Sequence, residues 1–191
     1  MKPLSLTNPH LIIMVGIPGS GKSFFAEHFA NTFNAPFISH DKIAKDIAGD
    51  SQVDSTTVVR ISNFLLAELL KSGQTIIYEG LTDTRTARQV LAKIARDMGY
   101  EPLLVWVQTE SLAAKQRATK PQRDKSNLTD EQFDTMLHRF TPPSIIEKPI
   151  VISGKHTYPS QLKIVLKHLA VNRSETIPER KVIEGRHIAV R

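Results

Sequence analysis

Gly16-Ile17-Pro18-Gly19-Ser20-Gly21-Lys22-Ser23 has the spacing G-x-x-x-x-G-K-[ST], and each fixed position supplies something a polyphosphate needs. The glycines let successive backbone N–H groups turn toward phosphate oxygens. Lys22 adds a point charge for the β and γ phosphates, and the Ser23 hydroxyl offers a hard oxygen to a Mg²⁺ that keeps most of its waters. A glycine-rich turn with a coincidental lysine is the bland alternative, but in a chain of this length the fixed positions match by chance in well under about 1% of cases. The octapeptide therefore reads as a nucleoside triphosphate cradle with ATP and Mg²⁺ as its ligands. Two acids stand where further chemistry is expected, Asp41 and Glu79.

Such a cradle works only between the carboxyl end of a buried strand and the N-terminus of a helix. Residues 11–15 (LIIMV) form a continuous apolar run suited to a strand buried on both faces, and residues 22–33 place Phe25, Ala26, Phe29, Ala30 and Phe33 at helical spacing. Further short apolar runs occupy residues 36–39, 75–78, 103–107 and 150–152, separated by amphipathic helical patterns over 41–48, 55–71 and 84–98. Strands alternating with helices imply right-handed βαβ units, hence an α/β, three-layer fold with a five-stranded, mostly parallel sheet and helices on both faces. Residues 110–141 are polar, with two helical stretches joined by Lys120-Pro121-Gln122, and suit a helical lid. A last helix over 160–171 closes a domain expected to span 1–171. In the tail, 172–191, His187–Val190 has the composition of an added edge strand.

Asp41 follows the run 36–39. At the carboxyl end of a strand beside the cradle, a carboxylate can accept the proton of an attacking hydroxyl, although an Asp just before a helix also serves as an N-cap. Glu79 follows the run 75–78, where an acid can hold the Mg²⁺ or its water. Lys115, Arg117, Lys120, Arg123 and Lys125 face only Asp124 within residues 115–125, the densest positive stretch in the chain. Arg117 and Arg123 suit a lid because a guanidinium grips phosphate oxygens bidentately; a solvated helix face is the plainer reading. The guanine-reading string Asn-Lys-x-Asp is absent, and Asp46-Ile47-Ala48-Gly49 falls inside a helical pattern, which disfavours a GTPase. The seven histidines show no metal-ligand spacing.

The string from Val15 to Ser23 resembles the opening of P-loop kinases of the polynucleotide kinase and zeta-toxin-like group, the ATP-binding AAA-type kinase domains. Ile38-Ser39-His40-Asp41 is similar to the group's Ser-x-Asp element. Ile76-Ile77-Tyr78-Glu79-Gly80, followed by Arg85 and Arg88, is similar to its third-strand acidic motif. Segments 117–123 and 136–140 are similar to its lid. The resemblance implies an ATP- and Mg²⁺-dependent kinase that transfers the γ-phosphoryl group to a hydroxyl. Lys22, Asp41, Arg117 and Arg123 would be its catalytic residues, with Ser23 and Glu79 at the metal. The acceptors it implies are a polynucleotide 5′-hydroxyl, a nucleoside, a sugar nucleotide or another small alcohol. Glu79 where the group usually has Asp, and Ala44 where it often has Arg, depart from the pattern. A P-loop ATPase or a nucleotide-binding switch or adaptor without phosphotransfer is the second class.

The 191 residues include no Cys, which excludes disulfide frameworks, thiol catalysis and Cys-ligated zinc. No apolar run approaches the roughly 20 residues that span a bilayer, and residues 1–9 lack an apolar signal core, so a cytoplasmic protein without a membrane partner is expected. The net charge of +6 fits an anionic ligand. Because the segment 115–125 holds much of that excess, the charge points to the phosphates of ATP more than to a nucleic-acid surface.

Overall fold

The computed structural model describes residues 8–48, 54–120 and 128–174. Five strands, β1 (His10–Val15), β2 (Phe37–Ser39), β3 (Ile76–Glu79), β4 (Glu101–Gln108) and β5 (Ile150–Ser153), form one sheet in the order β2-β3-β1-β4-β5. Every pairing is parallel. All six residues of β1 are buried, which explains its unbroken apolar run: a central strand covered on both faces has no solvent side to alternate with.

Helices α1 (Lys22–Phe33) and α7 (Tyr158–Ser174) cover one face, where Phe25, Phe29, Val165 and Leu169 pack on Ile12, Met14, Val105 and Ile152. Helices α3 (Ser55–Leu70) and α4 (Arg85–Asp97) cover the other, with Leu66, Leu70, Leu91 and Ala95 against Leu11, Ile13, Val15 and Leu104. The connection after β1 runs to one side of it and the connection after β3 runs to the other. Their divergence opens a crevice at the carboxyl ends of the strands, the usual ligand position in such sheets.

The segment expected to form a lid contains α5 (Ser111–Ala118) and α6 (Asp130–Arg139). Thr129 and Gln132 close a capping box at the start of α6, satisfying two otherwise orphaned N–H groups. Ala114 and Phe133 pack with Ile17 of the cradle in a small cluster of their own, so the two helices rest on the cradle rather than on the main core. Gly19 makes that approach possible. Its φ is +74°, and a Cβ there would overlap the carbonyl oxygen of Ala114.

Between α6 and β5, a 3-10 turn (Ile145–Glu147) is tied to α4. Arg88, 1% exposed, donates from Nε to Glu147 Oε1 at 2.8 Å and from Nη2 to Oε2 at 3.2 Å, and from Nη1 to the carbonyls of Thr82 and Thr141 at 3.0 and 2.9 Å. One guanidinium thus joins the β3–α4 loop, the exit of α6 and the approach to β5. The last helix runs through Ser174, past the expected domain end at 171, and its buried Val165 and Leu169 pack in the cluster that holds Ile150 and Ile152 of β5. Pro121, Gln122, Arg123 and the expected edge strand His187–Val190 lie outside the described residues. Among the described residues no helix is long and apolar enough to cross a membrane.

Candidate active site

The cradle joins the end of β1 to α1. Lys22 Nζ donates to the Ile17 carbonyl at 3.0 Å, curling the side chain back over the loop. Thr109, just beyond β4, donates to the Ser20 carbonyl at 3.0 Å and ties the loop to the neighbouring strand. Burial pushes the Lys22 ammonium below its usual range, against the opposing pull of Glu79, Asp41 and Asp83. Three carboxylates, one on the helix after β2 and two at and just after the end of β3, thus act on one lysine.

Ser23 Oγ donates to Glu79 Oε1 at 2.7 Å, across 56 residues of sequence. Glu79 is 7% exposed, and among the described residues its Oε2 is buried without a hydrogen-bond partner. Burial pushes its carboxyl up, more than the Lys22 charge and the Ser23 hydroxyl pull it down. A hydroxyl and a half-satisfied carboxylate side by side are the hard-oxygen donor set that suits Mg²⁺. Without a cation the Glu79 charge is a cost, so Glu79→Gln is expected to raise the stability of the ligand-free protein by about 1 kcal/mol, or about 2–4 °C in melting temperature. The sign follows from the raised value: wild-type stability grows as pH falls through the native pKa, and the Gln variant lacks that gain. Calorimetric melts of both proteins between pH 4 and 8 check it; a Gln variant that melts lower at pH 7 contradicts it.

Asp41 is not the cap of its helix. Helix α2 (His40–Ala48) begins one residue before it, and Asp41 sits in the first turn, while Ser39 Oγ takes the capping position with a long 3.5 Å contact from Lys42 N. The exposed Asp41 side chain is near enough to influence Lys22, Glu79 and His40 electrostatically. Register explains the meeting: Ser39 on β2 lies opposite Glu79 on β3, and β3 lies beside β1. The register therefore brings the starts of α1 and α2, with Lys22, Ser23 and Asp41, to the same end of the sheet as Glu79.

The lid cations fare differently. Arg117 Nη1 donates to the Gly154 carbonyl at 3.1 Å, in the turn after β5. Lys115 Nζ meets Asp134 at 2.9 Å and Asp130 at 3.9 Å, both on α6; the Asp134 hydrogen bond comes first among the causes that raise its pKa. Part of the positive stretch is thus balanced by the acidic face of α6. Arg123 lies outside the described residues.

Two ion-paired groups beside the site carry no local sequence signal. Arg139, at the end of α6, donates to Asp83 Oδ2 from Nε at 2.7 Å and from Nη2 at 2.6 Å. Thr141 N donates to the Asp83 carbonyl at 2.8 Å, so the base of the lid is strapped to the loop after β3. Thr82 is buried and donates to the Met14 carbonyl at 2.7 Å, which makes it a tie between β1 and the loop.

A family model described as an AAA domain matches residues 11–143. No curated protein sequence matches the chain. A gluconokinase from Sinorhizobium meliloti 1021 is similar in structure, with a TM-score of 0.64 and 17% identity over 87% of this chain and 95% of its own. The Mycobacterium tuberculosis APS kinase CysC, solved with AMPPNP and APS, gives a TM-score of 0.57 at 16% identity over 85% and 98%. Chaetomium thermophilum Kti12, solved with ADP-AlF3, gives 0.65 at 15% identity over 84% and 97%. At these identities the likeness establishes the fold.

Proposed function

Since the chain belongs to the AAA-domain family and has a P-loop kinase fold, we propose that it is an ATP-dependent kinase that transfers the γ-phosphoryl group to the hydroxyl of a small molecule. The observation that carries this reading is the convergence of Asp41 and Glu79 on Lys22 at the mouth of the cradle. Backbone N–H groups of residues 19–23 and the N-terminus of α1 would receive the phosphates, with Lys22 on the β and γ oxygens. Ser23 and Glu79 would hold Mg²⁺, which supplies charge neutralisation on the phosphates when bound. Asp41 accepts the proton of the acceptor hydroxyl as its oxygen forms the new bond to phosphorus and the bond to the ADP oxygen breaks. Arg117 and Arg123 would close on the transferring group and exclude water.

A small hydroxyl compound is supported by the gluconokinase and the APS kinase, whose chains are matched over nearly their whole length. Transfer of labelled γ-phosphate in a screen of sugar acids, sugar nucleotides, nucleosides and 5′-hydroxyl oligonucleotides tests it. Labelling of oligonucleotides alone would overturn the choice of acceptor. A nucleotide-driven switch is the second reading, favoured by Glu79 in place of the expected Asp; ADP formation with no labelled acceptor would select it. In either case Lys22→Ala should weaken MgATP binding about 100-fold, the loss of one buried charge-assisted contact. Titration calorimetry with wild-type affinity for that variant would sink the cradle assignment.

A further inference from the structure

Helix α2 carries the Asp41 carboxylate, yet none of its residues is buried. Ile43 packs only partly on the core beneath. Lys42 reaches Glu27 at 3.1 Å and lies over the Phe37 ring at 5.0 Å, exposed contacts that hold a helix weakly. The first residue is held differently. His40 Nε2 and Tyr78 Oη lie 2.7 Å apart in a hydrogen bond, with the two rings edge to face at 5.5 Å. The imidazole also rests directly on the backbone of Gly80, where any Cβ would overlap Cδ2 and Nε2 of the ring. Tyr78 and Gly80 flank Glu79, so the contact links the head of α2 to the residues on either side of the candidate metal acid.

Successive side chains on a helix point about 100° apart. With His40 turned inward onto β3, Asp41 is carried round the helix toward the cradle. We propose that His40, seated between Tyr78 Oη and Gly80, is a positioning residue that fixes the first turn of α2 and so aims the Asp41 carboxylate at Lys22 and the acceptor oxygen; this rests on the kinase reading above. Proton abstraction needs a heavy-atom separation of about 2.6–3.2 Å, and a displacement of about 1 Å costs on the order of 100-fold in rate. Gly80 is the matching half of the device, since the ring can lie there only against a residue without a side chain.

The test uses the full chain and four variants, His40→Ala, His40→Gln, Tyr78→Phe and Gly80→Ala. Amide hydrogen exchange within α2 is read on the ligand-free protein, and ADP formation from MgATP is read with water as the acceptor. His40→Ala and Gly80→Ala should speed exchange of the α2 amides by about 10-fold and lower kcat by about 10- to 100-fold, with KM for ATP within about twofold. Tyr78→Phe should show the same pattern more mildly. His40→Gln keeps a side-chain partner for Tyr78 Oη and should recover most of kcat. Wild-type exchange in α2 for His40→Ala would overturn the proposal. So would a loss of kcat matched by an equal rise in KM and a global fall in melting temperature, with no recovery in His40→Gln. A wild-type protein that forms no ADP with water and also labels no acceptor in the γ-phosphate screen would instead count against the kinase reading, and the exchange data would still decide whether His40 holds the helix.

Discussion

Asp41→Asn lowers phosphoryl transfer by about 10²- to 10⁴-fold, the range for loss of a positioned general base, while MgATP affinity stays within about threefold. The separation of the two effects follows from geometry. Asp41 stands on α2, outside the cradle, and the backbone N–H groups and Lys22 proposed to meet the phosphates are on α1 and its connection to β1. Asn preserves the size of the side chain and its place in the first turn, so the fold is untouched. What it removes is a proton acceptor and one negative charge acting on Lys22. That lost charge leaves the lysine freer for phosphate, which is why binding does not suffer. Transient kinetics with γ-labelled ATP separates transfer from binding. Near-normal transfer in this variant would remove Asp41 from the chemistry and leave its place in the first turn as an electrostatic match to the helix dipole.

The largest effect on stability is expected from Glu147→Ala. Arg88 and Glu147 have side chains 1% and 8% exposed, so removing the carboxylate leaves a buried guanidinium without its counter-charge. Breaking such a pair from one side costs about 3–5 kcal/mol, which corresponds to a fall of about 10 °C or more in melting temperature for a domain of this size. Burial by itself would raise the Glu147 carboxyl, but the Arg88 hydrogen bonds and the Ser144 N–H outweigh it and hold the group below its ordinary 4.5. The stabilisation is therefore complete above that ordinary value and is lost as pH falls through the lower native one. Glu147→Leu combined with Arg88→Met should recover most of the loss, because no unpaired charge is then left buried. Urea melts of the single and double variants at pH 7 decide the matter: equal destabilisation in both would mean that packing, not charge pairing, is what the site contributes.

The cradle was legible because it is local. Its glycines, Lys22 and Ser23 are contiguous, and the flanking apolar run and amphipathic helix are short-range patterns that local sequence specifies well. The five-stranded sheet was legible for the same reason, since alternation of buried strands and amphipathic helices leaves few topologies. The sheet, expected to be mostly parallel, is parallel at every pairing. Asp41 and Glu79 could be singled out because each follows an apolar strand run, although helix α2 starting at His40 removed the capping explanation for Asp41. The positive stretch at 115–125 shows the limit of local reading. Lys115 looked like part of an open cationic surface, and the acids that balance it, Asp130 and Asp134, arrive from the next helix.

By itself, then, the sequence determined that a strand, a phosphate-binding turn and a helix follow one another, and that two acids stand at strand ends on the same side of the sheet. Only the tertiary structure decided what surrounds them. The pairs His40–Tyr78, Asp83–Arg139 and Arg88–Glu147 are separated by 38, 56 and 59 residues, far beyond any helical or strand period. A histidine, an arginine at the end of a helix and an arginine within one look locally like solvated residues. Their partners are selected when the sheet order places β3 beside β2 and β1 and brings the return from α6 over the β3–α4 loop. Burial then makes the Arg88–Glu147 and His40–Tyr78 hydrogen bonds costly to lose, while the more exposed Asp83–Arg139 pair straps the base of the lid from outside.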